Sequence, residues 1–368
     1  MTAAGAERRE AMGVIPSLNG IRALAVSLVV LSHYGLGGLV PGGLGVTVFF
    51  VLSGFLITTL MRIEYERTGR LSYGNFYLRR ALRLLPPLFI VATVASALAA
   101  FGVIDGATTV AGLCSTLFYF GNYYVIANDF HGIPAGLGVT WSLAIEEHYY
   151  LLFPPIAALL LPARRTRLCA VVLAMLCLIV YAWRCWLVAH GASVAYLTMA
   201  TDTRVDAIFV GCALALLWNP WLDPVAPSHR VRDAGVAMTC LAILAVTLLY
   251  RDETFRLTAR YTVQSLAIAP LLYLAVARAG QAPFRWLNSA PLVYIGTVSY
   301  TIYLGHQVII LGLAKHFPGR VRLSSALRPL CSCCCWPRPC AVGWRSRARR
   351  SGADSTGTGS PRAAATAA

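Results

Sequence analysis

The chain is poor in charge. Of its 368 residues, 12% are Asp, Glu, Lys or Arg, about half the share of an ordinary soluble domain, and 58% are hydrophobic. No long polar stretch interrupts residues 15–320. The longest runs from Arg62 to Arg83, which leaves no room for a water-soluble domain there. Segments of about ten residues with alternating hydrophobicity are lacking too, which argues against a membrane β-barrel. No small-residue cleavage site follows the first apolar run, so that run reads as a retained helix and not as a signal peptide. Clear internal repeats are absent. The one dense cysteine group, "CSCCCWPRPC" at 331–340, lacks the paired C-x-x-C spacing of a zinc site, and no metal is expected. The other six cysteines stand singly in apolar segments, where cysteine acts as a small hydrophobe.

What is present is a series of apolar runs. Ten are readable: 18–36, 43–62, 84–104, 109–127, 140–161, 167–189, 204–219, 233–250, 261–279 and 290–314. Several approach the ~20 residues that a helix needs to cross a bilayer. The expectation is an all-α, polytopic transmembrane bundle of about ten segments. The net charge of +16 sits in loops and in the tail. Loop arginines of a membrane protein set orientation, and no nucleic-acid partner is expected. The arginines of 62–83 place that loop, and with it the N-terminus, on the cytoplasmic side of the cell membrane. "PARRTR" at 162–167 also reads as cytoplasmic, which leaves one segment too many before it. Segment 109–127, with its polar and aromatic "CSTLFYFGNYY", is the expected re-entrant element, because such groups at membrane depth face protein or water.

Ionisable groups inside apolar runs are costly and mark function by default. "IRALAVSLVVLSHYG" (21–35) holds Arg22 and His33, eleven residues apart. On a continuous helix they share one face, about 16 Å apart along the axis, and would line one cavity. Arg22 would meet an anion, or simply snorkel. His33 would take or pass a proton. "PGGLGVTVFFVLSGFLITTL" (41–60) is a small-residue packing face, with Ser53 at mid-helix. Arg79, Arg80 and Arg83 in "NFYLRRALRLLPP" lie three and four apart at the mouth of the third segment. They suit phosphate groups, or serve as an orientation signal with lipid headgroups. "TWSLAIEEHYYLLFPP" (140–155) sets two glutamates and a histidine in an apolar run. Ser142, Glu146 and Tyr149/Tyr150 fall near one face, with Trp141 beside it. Glu146 would orient or deprotonate His33, pair with a loop arginine, or form a structural ion pair. Arg204 and Asp206 start the seventh segment. Tyr300, Tyr303 and His306 lie in the tenth. As single features, both groups are substrate-lining or structural.

In order, these motifs resemble the acyltransferase 3 family of multi-pass membrane enzymes, which O-acylate extracytoplasmic carbohydrates and related acceptors. The resemblance covers residues 15–310. It implies that the arginine–ten residues–histidine motif falls on Arg22 and His33, with the histidine catalytic. It places the family's arginine-rich motif on Arg79, Arg80 and Arg83, and its Trp-Ser-Leu…Glu motif on Trp141, Ser142 and Glu146. It implies a cytoplasmic acyl-CoA donor, commonly acetyl-CoA, and a carbohydrate or glycolipid acceptor. His33 would then act as general base or as transient acyl carrier. The family usually has aspartate where Asn19 stands, which removes a possible partner of Arg22. Other readings of the residues are a proton-coupled transporter or exporter using His33, Glu146 and His306 as a relay, and a membrane protein without chemistry.

The stretch from about residue 320 changes character. Nine arginines and one aspartate follow, among Pro, Ser, Ala and Cys. Cysteine codons shifted by one base read as leucine, so residues 315–368 are read as an aberrant basic, disordered tail, either the product of a frameshift near 320–335 or a genuine basic tail.

Overall fold

The computed structural model describes residues 15–161 and 166–317. Fifteen α-helices and no strand occur among the described residues. The all-α expectation is met. The tail, and any frameshift in it, lies outside the described residues.

Helix α1 (Pro16–Leu31) opens with proline at its first turn, where the missing N–H is no loss. Its last turn widens into a π-helical turn, Ser32–Leu36, broken by Gly35 at φ 100°. Helix α2 (Gly42–Thr68) is closed by Gly69 in the left-handed conformation, whose N–H reaches Tyr65 O. Helix α3 (Tyr73–Ala100) carries Pro86 and Pro87. Next come two eight-residue helices, α4 (Val110–Leu117) and α5 (Gly121–Asn128). The Thr109 hydroxyl caps α4 by accepting from Gly112 N at 3.0 Å. A 3₁₀ turn, Leu137–Thr140, leads into α6 (Trp141–Leu160). Then follow α7 (Thr166–Ala189), the short α8 (Val194–Met199) and α9 (Thr201–Arg204), and α10 (Asp206–Leu217). The chain continues through α11 (Arg230–Leu249), α12 (Glu253–Leu257) and α13 (Arg260–Ala277). It ends in α14 (Ala290–Thr297) and α15 (Ser299–His316), which are bent by 72° to each other.

The count of about ten spans is not met. Five helices among the described residues are long and apolar enough to cross a membrane: α2, α3, Leu168–Ala189 of α7, α11 and α13. The bent pair α14–α15 makes six if taken as one span. Several apolar runs fall short for physical reasons. At ~1.5 Å per residue, the 16 residues of α1 and the 12 of α10 reach less than the ~30 Å of a bilayer core. The run 109–127 is interrupted by Tyr119 at φ 57° and yields only the two eight-residue helices.

Helix α2 is the central post. Its apolar window is 72% buried, against 17% for that of α3. It packs on α1, α6, α10 and α13. Helix α10 comes closest, and glycine permits this: a Cβ on Gly54 would strike Ile208 O, and one on Gly211 would strike Val51 O. The small-residue face expected over 41–60 is therefore a real packing face. Leu82, Phe89 and Ile90 on α3, Leu178 and Ile179 on α7, and Met238 and Val246 on α11 point outward. Outward apolar faces of this kind belong against lipid.

A sealed ion pair ties three helices. Arg184 on α7 meets Asp206 on α10 at 2.7 Å, and both side chains are fully buried. Thr262 on α13 donates to the same carboxylate at 2.6 Å, and Arg184 also donates to Thr203 O at 2.9 Å and to the Thr262 hydroxyl.

Candidate active site

The α1, α2, α3, α6 and α15 helices, with Tyr119, line a partly open cavity. Arg22, Ser53, Arg80, Arg83, Ser142, Glu146 and Tyr303 all line it. These seven are candidates drawn from five separate motifs, and the fold brings them to one place. Glu147, Tyr150 and Tyr300 of the same motifs join them, as does Tyr119, which was not singled out.

Glu146 sits five residues into α6 and is held by two hydroxyls. Ser53 Oγ donates to it at 2.7 Å and Tyr150 OH at 2.8 Å. Ser53 therefore does more than pack: it holds a carboxylate from the middle of the central helix. Two donors on one carboxylate compensate part of the desolvation that a membrane interior imposes. Tyr150 also offers its ring face to Arg80, whose guanidinium carbon lies 4.9 Å from the centroid. Arg80 and Arg83 come from the first turns of α3, and Arg22 from α1. Three guanidinium groups thus share the cavity with two carboxylates, an excess of positive charge that suits an anionic ligand.

Arg22 Nη1 lies 3.5 Å from Asn19 Oδ1. Asn19 is thus a neutral partner of Arg22. Arg79 is not brought to the cavity. It points outward, 63% exposed, 3.5 Å from Glu64. Trp141 does not line the cavity either and meets Phe50 edge-on at 6.4 Å, while its neighbour Ser142 does line it. Ser142 and Tyr303 share a hydroxyl–hydroxyl bond of 2.7 Å.

His33 departs from the continuous-helix expectation. It sits in the π turn beyond α1, just before the non-helical Tyr34 and Gly35, and it is not among the cavity's lining residues. Its Nδ1 lies 3.2 Å from Nε2 of His306. His306 Nδ1 in turn bonds the carbonyl of Tyr303 at 2.7 Å, and Tyr303 does line the cavity. His33 therefore stands one residue removed from the cavity, reached through His306 and Tyr303. The expected direct contact of Glu146 with His33 is not made; Ser53 and Tyr150 take its place.

Arg204 and Asp206 are neighbours in sequence with separate partners. Asp206 belongs to the sealed pair with Arg184. Arg204 donates to Thr198 O at 3.0 Å and lies 3.7 Å over the Tyr261 ring. Neither lines the cavity.

Tyr119 carries an unusual feature. Its backbone is left-handed at φ 57°, and its buried hydroxyl faces that of Tyr300 across the cavity lining. Residues held in sparsely populated backbone regions collect at functional sites. No local sequence signal marks it, apart from the polar, aromatic character of the run it interrupts.

An all-helical bundle with lipid-facing apolar helices and a charged internal cavity is a multi-pass membrane protein. The chain belongs to the acyltransferase 3 family: that family's model, described as an acyltransferase domain, matches residues 15–333. It is similar to a peptidoglycan O-acetyltransferase of Listeria monocytogenes, 32% identical over 309 residues, which is 80% of this chain and 49% of that protein. It is 30% identical over 321 residues to a candidate O-acetyltransferase of Staphylococcus aureus, covering 83% of this chain and 52% of the other. A candidate peptidoglycan O-acetyltransferase of Bacillus subtilis is 32% identical over 313 residues, with 81% and 49% covered. The chain thus spans about half the length of these relatives. No solved structure matches it.

Proposed function

We propose that this protein is a membrane O-acetyltransferase. It takes an acetyl group from a cytoplasmic acyl-CoA and places it on a hydroxyl of an extracytoplasmic carbohydrate. Peptidoglycan, named for its relatives, is the first acceptor to examine. The observation that supports this best is the cavity, where Arg22, Arg80 and Arg83 outnumber Glu146 and Glu147. Guanidinium groups at the mouth of α3 suit the phosphates of the donor. In this reading His33, beyond Tyr303, faces the acceptor. Its free ring nitrogen takes the hydroxyl proton as the oxygen attacks the thioester carbonyl, or carries the acetyl group in passing. Either way the acyl–sulfur bond breaks, and the thiolate leaves and takes up a proton. The N-terminus and the loop 62–83 lie on the donor side. Helices α4 and α5, too short to cross, form a re-entrant layer over the cavity. Family membership favours this reading over a proton-coupled transporter.

The test compares O-acetyl content of surface glycans in cells that carry the gene, lack it, or carry His33→Ala. The expected result is loss of one O-acetyl signal in both the deletion and the His33→Ala strain. A His33→Ala protein inserted at wild-type level with full glycan acetylation contradicts it.

A further inference from the structure

The two histidines form a chain whose proton positions follow from chemistry. His306 Nδ1 lies 2.7 Å from the Tyr303 carbonyl oxygen. A carbonyl only accepts, so Nδ1 carries the hydrogen. His306 is buried, at 5% exposure, and no carboxylate pairs with it among the described residues. These surroundings accommodate a neutral ring and not an isolated buried charge. A neutral imidazole with hydrogen on Nδ1 has a lone pair on Nε2, and Nε2 is the atom 3.2 Å from His33 Nδ1. His33 Nδ1 must therefore be the donor. That leaves His33 Nε2 without a proton, while the ring, which also hydrogen-bonds the Val29 backbone carbonyl, is partly exposed. The local backbone supports the arrangement. The π turn at Ser32–Leu36 carries His33 off the regular helix, with ring centroids 5.1 Å apart and planes at 41°, and such turns recur at functional sites. Tyr303 is anchored at its other end by Ser142 at 2.7 Å and Val139 O at 3.2 Å.

We propose that His306, oriented by the Tyr303 carbonyl, is a positioning residue that holds His33 as its Nδ1–H tautomer and so keeps Nε2 bare for the acceptor hydroxyl. This rests on the reading of His33 as the reacting group, and it serves base and acyl-carrier roles alike, since both need the Nε2 lone pair. When Nε2 takes the proton, His33 becomes an imidazolium and its bond to His306 becomes charge-assisted and stronger. His306 thus favours the state that forms during reaction, in the way a third group orients the base of a nucleophile–base pair. The proton on His306 Nδ1 does not move.

The test is nitrogen NMR of the full chain, ¹⁵N-labelled at histidine, in lipid nanodiscs, with His33→Ala used to assign the His33 signals. The expected spectrum shows His33 protonated at Nδ1 and bare at Nε2. His306→Leu should shift His33 toward the other tautomer. It should lower kcat by roughly 10- to 100-fold with KM for acetyl-CoA unchanged, the pattern of an interaction made in the transition state. His306→Gln, whose side-chain oxygen can accept from Nδ1–H, should recover part of the rate. A wild-type spectrum with His33 protonated at Nε2 overturns the proposal, whether or not the variants fold. So does His306→Leu with wild-type kcat. A fully active His33→Ala overturns instead the reading of His33 as reacting group, whatever the spectrum shows.

Discussion

The molecule holds two clusters of buried charge, built on opposite rules. In the first, Arg184 and Asp206 are fully sealed, matched one to one at 2.7 Å, and surrounded by Thr262 and the Thr203 carbonyl. In the second, Arg22, Arg80 and Arg83 share space with Glu146 and Glu147, and Glu146 is satisfied by the hydroxyls of Ser53 and Tyr150. A sealed pair matched one to one has little left to offer a ligand, and its role is to lock α7, α10 and α13 together. A cavity whose carboxylate is satisfied by neutral donors leaves its guanidinium groups available. The difference teaches how to sort ionisable residues inside a membrane protein: by what already satisfies them, and not by the fact of their burial.

The largest expected effect falls on the sealed pair. Asp206→Ala strands Arg184 in the bundle and should lose roughly 3–5 kcal/mol of stability, read as a collapse of the thermal unfolding midpoint and of purified yield. An Asp206→Ala protein as stable as wild type would erase the contrast. Next comes the double variant Arg80→Ala/Arg83→Ala. It should raise KM for acetyl-CoA by about 10- to 100-fold, the scale of two lost charge-assisted bonds, with the unfolding midpoint unmoved; steady-state kinetics over a wide donor range reads it. Smaller is Glu146→Ala, which leaves Ser53 and Tyr150 without their acceptor, at about 1–3 kcal/mol. Glu146→Gln keeps an oxygen for them and should recover most of that stability, as differential scanning fluorimetry would report. The smallest is Arg79→Ala. Its exposed pair with Glu64 should be worth less than ~1 kcal/mol, with donor KM unchanged, although it neighbours Arg80 in sequence.

Arg79 and Arg80 also show how far the residues alone lead. The sequence pattern marks the whole arginine cluster, but one position along a helix turns a side chain by ~100°, and only the packing of α3 on α6 decides which of the two faces the cavity. Arg22, Ser53, Ser142, Glu146 and Tyr303 were readable because polar groups in apolar runs are conspicuous. Their convergence was not readable, since it depends on contacts between distant helices. Arg204 and Asp206 look like one motif and are two, because the paired arginine of Asp206 comes from α7, where Arg184 had drawn no notice. The contact of His33 with His306 was not readable because it joins helices 273 residues apart in sequence, and Tyr119 escaped notice because it is a left-handed residue that is neither Gly nor Asn. The span count failed where apolar content was taken for helix length: 109–127 is apolar enough but broken, and α1 and α10 are helical but short.

The most direct test of the central claim is donor kinetics on the reconstituted protein, with radiolabelled acetyl-CoA and a soluble glycan acceptor, comparing wild type, Arg80→Ala/Arg83→Ala and His33→Ala. The account predicts a split: the arginine variant keeps most of its kcat and loses donor affinity, while His33→Ala keeps donor affinity and loses turnover. Wild-type donor affinity in the arginine variant together with wild-type turnover in His33→Ala would contradict it.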